Sequence, residues 1–152
     1  LINSGASQPF ESRFGGQFTL TIYNPTIESA EHMALVKGDI DAETPTHVRM
    51  HALNVLNDTF GGQDAVIEQS LKMIDEAGSG VLVLLRPANK YGVSEKLDKD
   101  KTPSTDLKDY GIGAQILSDL GVRKMILLSN SERTVVGLEG YGLEIVERKT
   151  LS

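Results

Sequence analysis

Apolar positions along this chain follow two different periods. From Asp106 to Glu147 they alternate between helical and extended spacing with few residues to spare. Gly113, Ile116, Leu117 and Leu120 stand at i, i+3, i+4 and i+7, which is one stripe of a helix. Gly121 follows, where a left-handed residue closing a helix favours glycine. Met125 to Leu128 is an apolar run of strand length. Ser129 and Glu132 have capping-box spacing for a second helix. Gly140 and Gly142 close that helix, and Leu143, Ile145 and Glu147 alternate into a strand. Further upstream, Gln63 to Ala77 carries Ile67, Leu71 and Ile74 in helical register, with Gly78 at its end. Gly80 to Arg86 (GVLVLLR) is a continuous apolar run, as in a strand covered on both faces.

The N-terminal part has the period of strands. Phe18, Leu20 and Ile22 alternate within Gly15–Tyr23, His32–Ile40 gives a second strand, and His47–Leu53 a third. In the third, Val48, Met50 and Ala52 face one way and His47, Arg49 and His51 the other. Asn54–Gly62 is rich in turn residues. The expected fold is therefore α/β with α+β character at its start: an antiparallel meander joined to βαβ units. Residues 1–13 are expected to be a linker or a cloning remnant, and 14–152 one domain.

Composition narrows the chemistry. The net charge of −6 argues against a nucleic-acid surface. No apolar run reaches the length of a membrane span, and the first ten residues lack the pattern of a signal peptide. A cytoplasmic protein without membrane or nucleic-acid partners is expected. The chain has no cysteine and no tryptophan, which removes disulfides, thiolate nucleophiles and cysteine-held zinc. Pro87 to Thr105 holds seven charged residues and almost nothing apolar, the composition of an exposed loop.

The stretch DYGIGAQILSDLGVRKMILLSN, followed by VVGLEGYGLEIVER, closely resembles the C-terminal half of GTP cyclohydrolase II. FGGQFTLTIY, HMALVKGDI, HVRMH and EAGSGVLVLLR continue the resemblance in the family's order, from about Phe14 to Arg148. That domain is often fused behind 3,4-dihydroxy-2-butanone 4-phosphate synthase in riboflavin biosynthesis. The resemblance implies the family fold, a dimer, and such a synthase as fused or associated partner. The family opens the guanine ring with water bound to zinc held by three cysteines.

The motifs of that chemistry are altered here. The family pattern V-H-S-E-C-L-T-G-D falls on Met50 to Asp58, with Asn54 at the first cysteine, and the C-D-C-G segment becomes about Gly61–Asp64. Carboxamides are poor zinc ligands beside thiolates. His47 and His51 would lie about 13 Å apart along a strand, too far to share a metal, so they are expected to be surface or internally satisfied histidines. R-Q-E-G-R-G-I-G becomes Arg86 to Val93, losing the purine-reading glutamate and gaining Pro87, which has no N–H. The family's catalytic tyrosine segment has no counterpart. The D-x-R motif, whose aspartate transfers protons and whose arginine is the proposed nucleophile, becomes Asp106-Leu107-Lys108. Lysine keeps the charge but not the planar fork, and Asp106 also suits a helix N-cap. L-L-T-N-N-P-x-K becomes Leu127 to Thr134, where Ser129 keeps a hydroxyl and Arg133 a cation, while Glu132 opposes a triphosphate.

The expectation is a GTP cyclohydrolase II-like domain of a riboflavin-biosynthesis protein, a hydrolase-family pseudoenzyme without zinc or GTP ring opening. It would act as a structural, dimerising or regulatory module for a butanone-phosphate synthase, a lyase. The alternative is a module that binds GTP or another phosphate through Arg49, Lys90, Ser129 and Arg133. A third possibility is metal-independent catalysis by Asp106 and Lys108 with Tyr91. No metal site and no cofactor are expected.

Overall fold

Seven strands form one sheet, in the order β1-β2-β3-β5-β4-β6-β7. The computed structural model describes residues 2–25, 31–53, 55–60, 65–86, 107–130 and 138–151. The strands are β1 (Ile2–Ser12), β2 (Gly16–Pro25), β3 (His32–Lys37), β4 (Thr46–Ala52), β5 (Gly80–Leu85), β6 (Lys124–Leu128) and β7 (Glu144–Lys149). The helices are α1 (Val55–Phe60), α2 (Val66–Ala77) and α3 (Leu107–Asp119), and Leu138–Tyr141 is a 3-10 turn.

The sheet is mixed. β1, β2, β3 and β5 pair antiparallel, whereas β5-β4-β6-β7 run parallel. An antiparallel meander therefore leads into βαβ units, as the periodicity predicts. Two local expectations need correction. Residues 2–12, read from the sequence as linker, form an eleven-residue strand on β2. Its polar, glycine-containing sequence has no clean alternation, and only pairing with β2 gives it a regular form. The strand at His47 was expected inside the meander, but β4 pairs parallel with β5 and β6 instead. Both faces of β4 are covered by helices, and that demands crossovers rather than hairpins.

Two apolar clusters sit on opposite faces of the sheet. On one face, Val48 and Met50 of β4, Val81, Val83 and Leu85 of β5, and Met125 and Leu127 of β6 pack under Ile112, Ile116 and Leu117 of α3. On the other, Phe18, Leu82 and Leu128 meet Leu71 and Ile74 of α2. Complete burial of each such side chain stabilises by roughly 1.5–3 kcal/mol. β5, in the middle, is buried along nearly its whole length. Helix α2 ends where Gly78 takes a left-handed φ of 83° and its N–H reaches the Ile74 and Asp75 carbonyls. Gly121, with φ of 93°, performs the same service after α3.

The turn-rich segment after β4 contains the short helix α1. Of the helix expected from the Ser129–Glu132 pattern, residues 131–137 lie outside the described residues. What is described there is the 3-10 turn before β7. The charged segment 87–105 also lies outside them. Among the described residues, no helix is long and apolar enough to cross a membrane.

Candidate functional site

The C-terminal ends of β4, β5 and β6 are where this topology gathers polar groups. β4 hands the chain to α1 and α2 on one face. β5 and β6, its neighbours, lead to elements packed on the opposite face. In open α/β sheets the crevice at such a divergence between adjacent parallel strands is the usual location of ligands.

Alternation along β4 sets which side chains reach the crevice. Val48 and Met50 point into the α3 cluster, so His47, Arg49 and His51 fall on the α2 side. Arg49 is half-buried and its Nη1 donates to the Leu128 carbonyl at 3.2 Å. That bond ties the guanidinium to the last residue of β6, directly before Ser129. The Ser129 N–H donates to the Lys149 carbonyl at 2.9 Å. Asn130 Oδ1 accepts from the Leu151 N–H at 2.8 Å. The exit of β6 is thus fastened to the exit of β7 by a backbone bond and a side-chain bond. Of the sequence-predicted phosphate ligands, Arg49 and Ser129 come together here.

The other predicted residues are placed less completely. Lys108 belongs to the first turn of α3, a helix packed on the face of the sheet opposite α2. Lys90, Asp106 and Arg133 lie outside the described residues, as do Tyr91 and Asn54.

An enclosed polar pair at the end of β4 leaves no signal in sequence spacing. His51 Nε2 donates to both oxygens of Asp58, at 2.9 and 3.1 Å. The two side chains are only 10% and 9% exposed, so water screens the pair poorly. Asp58 is carried by α1, which folds back over the end of β4. Seven residues separate the partners, a spacing with no significance unless a helix follows the strand at once. A second histidine, His32, is fully buried on β3, and its Nδ1 accepts the Arg86 N–H at 2.9 Å. That bond satisfies the backbone where β5 ends and assigns the ring proton to Nε2.

His47 sits at the opposite end of β4. Burial, reinforced by the Lys149 ammonium, lowers its pKa, and Glu147 opposes the shift. Lys149 Nζ approaches His47 Nε2 at 3.5 Å, which suits a neutral imidazole as acceptor. The expectation that both histidines are satisfied locally holds, although His51 is more enclosed than a surface residue.

A thiolate-held zinc ion, which the family resemblance implies, does not fit these residues. The chain has no cysteine. His51 Nε2 is already bound by Asp58. Among the described residues, no three histidine, aspartate or glutamate side chains converge. Among the described residues, what remains positions a helix and holds a backbone turn, with the Arg49 guanidinium bonded to the Leu128 carbonyl.

The comparisons with known proteins agree with this architecture. The family model described as GTP cyclohydrolase II matches residues 3–150. A riboflavin biosynthesis protein RibBA of Chlorobium phaeovibrioides is 42% identical over 159 residues, spanning 90% of this chain and 38% of its own length. The Synechocystis protein of the same name is 37% identical over 165 residues, spanning 93% of this chain and 29% of its own. The chain therefore spans well under half the length of these relatives. Among solved structures, RibBX of A. baumannii, a two-domain 3,4-dihydroxy-2-butanone 4-phosphate synthase, superposes with a TM-score of 0.64 at 24% identity. The match covers 99% of this chain and 40% of that one. At that identity the likeness speaks for the fold.

Proposed function

Since this chain belongs to the GTP cyclohydrolase II family, we propose that it keeps the family scaffold in riboflavin biosynthesis without the zinc-dependent opening of GTP. It serves a fused or associated butanone-phosphate synthase in the cytoplasm, as a stabilising, dimerising or regulatory module. One observation carries this reading. The place where the family holds its metal has no thiolate, and its enclosed histidine is spent on Asp58. Zinc activates water by lowering its pKa; this chain has no thiolate to hold it, and among the described residues no three His, Asp or Glu side chains converge to replace a thiolate cage. The names of the relatives, riboflavin biosynthesis proteins and a two-domain synthase, support the pathway and the partner.

The test combines metal analysis with turnover. The purified chain should carry well under one zinc per molecule and release no formate from GTP. Stoichiometric zinc together with formate release would refute the reading. Comparing synthase stability with and without this domain then tests the service role.

A second reading keeps a weak site for a purine nucleotide or another phosphate. It is favoured by the meeting of Arg49 with the β6 exit that carries Ser129. Calorimetric titration with GTP, GMP and pyrophosphate separates the two readings. Heat that disappears in an Arg49→Ala variant supports the second, and no heat at millimolar ligand removes it.

A further inference from the structure

Helix α2 covers only part of the sheet face on which it packs. Its apolar stripe, Ile67, Leu71 and Ile74, meets Phe18, Leu82 and Leu128. The antiparallel half of the sheet extends past that stripe. Pairing sets Leu20 opposite Leu35, Leu35 opposite Leu82, and Met33 opposite Leu84, so these side chains share the α2 face. Between them, Ile67 in the first turn of α2 and Phe10 of β1 lies a cavity of about 160 Å³. Leu82 is fully buried, Leu20, Met33 and Leu84 are half-buried, and Phe10 is 44% exposed, so the cavity opens toward β1.

The lining decides what such a space can hold. Every side chain that lines it is apolar. Water settles in a cavity only where several polar groups hold it, and an apolar cavity of about 150 Å³ stays dry and admits benzene or xenon. A charged guest would lose its hydration with nothing to replace it. Two of the lining groups favour an aromatic guest over an aliphatic one. The Phe10 ring can meet another ring edge to face, and the Met33 thioether makes favourable contact with aromatic edges. The mouth is narrow in its chemistry as well. On β1, the exposed neighbours of Phe10 are Gln8, Pro9 and Glu11. A protein partner calls for a continuous apolar patch around the opening, whereas a small molecule needs only the cavity.

We propose that this cavity is a binding site for a small uncharged aromatic ligand: one six-membered ring with at most a few methyl-sized substituents, entering past Phe10. The site is separate from the polar groups at the ends of β4 and β6 and does not depend on the functional reading above. Leu82 and Leu84 belong to β5, Ile67 to α2 and Met33 to β3, so an occupant touches all three elements and stabilises the folded chain by mass action.

Toluene is the probe. In methyl NMR spectra of the chain it should shift Ile67, Met33 and Leu84 saturably, with a Kd of about 0.1–5 mM, and it should raise Tm. Benzoate, the same ring carrying a charge, should bind about tenfold more weakly or worse. Leu20→Trp should fill the space and abolish the shifts. Phe10→Ala, at an exposed position where the fold is not at stake, should weaken toluene about threefold or more. Failure of toluene to give a saturable shift up to its solubility limit overturns the proposal. So does equal binding of benzoate, or toluene binding that survives undiminished in Phe10→Ala. A phenylalanine-containing peptide that shifts these methyls where toluene does not would assign the cavity to a partner's side chain and overturn it too.

Discussion

Gly38 and Gly78 provide a controlled test of how closely this domain is packed behind its sheet. Both have left-handed backbones, with φ of 71° and 83°. Their surroundings differ. A methyl group on Gly78 would meet nothing within 4 Å, whereas one on Gly38 would stand 2.8 Å from the Gly78 carbonyl oxygen and 2.8 Å from the Ser79 Cβ. Placing alanine at a left-handed position costs about 1–2 kcal/mol, so Gly78→Ala should lose that much. Gly38→Ala carries the same backbone strain and adds overpacking against backbone, worth about 1–3 kcal/mol more. Its total is therefore about 2–5 kcal/mol. Urea denaturation monitored by circular dichroism measures both, provided the m-values of the two variants agree. Equal losses for the two alanines would refute the reasoning, because the steric term would then be absent. The close approach matters because it joins the end of β3 to the start of β5 and so holds the meander to the parallel half.

Three further outcomes are expected. Tyr23 is buried and donates its phenol hydrogen to Asp119 at 3.0 Å; burial first, then the Asp119 carboxylate, hold its pKa well above the tyrosine range. The folded state keeps this proton longer than the unfolded chain does. Its stability contribution is thus present below the unfolded pKa of about 10 and declines as pH rises beyond it. Tyr23→Phe should cost about 1 kcal/mol at pH 7, since Asp119 is exposed, and should flatten the fall of Tm above pH 10. The lowered pKa of His47 works in the opposite sense: its contribution is present above the unfolded value of about 6.5 and is lost as pH falls through the window below it. His47→Gln should flatten stability between pH 7 and 5 in denaturant titrations, and an unchanged slope would refute this assignment. Asp58→Asn keeps the size of the side chain but removes the charge that anchors α1 to His51. A loss of about 1–3 kcal/mol and faster limited proteolysis at α1 are expected, and wild-type cleavage rates would count against α1 being held by this pair.

The candidate site was partly legible from the residues. The face of β4 that carries Arg49 was legible because alternation along the strand is enforced by burial of Val48 and Met50. Ser129 was placed by the strand that ends just before it. His51 was seen, but its partner was not, because the turn-like residues of Asn54–Gly62 give no sign of α1 at Val55–Phe60. A six-residue helix has almost no periodicity of its own, and contact with β4 supports what propensity cannot.

The sequence by itself determined the period of each long element, the glycines that end α2 and α3, the family and the absence of thiolates. Each of these is written in neighbouring residues or in composition, and no distant contact can change it. Tertiary structure alone decided that β5 lies between β3 and β4, that β4 runs parallel, and that residues 2–12 form an edge strand. It also brought Asp58 to His51. Strand order and edge pairing depend on which surfaces two helices cover, and that free energy is shared among residues far apart in the chain.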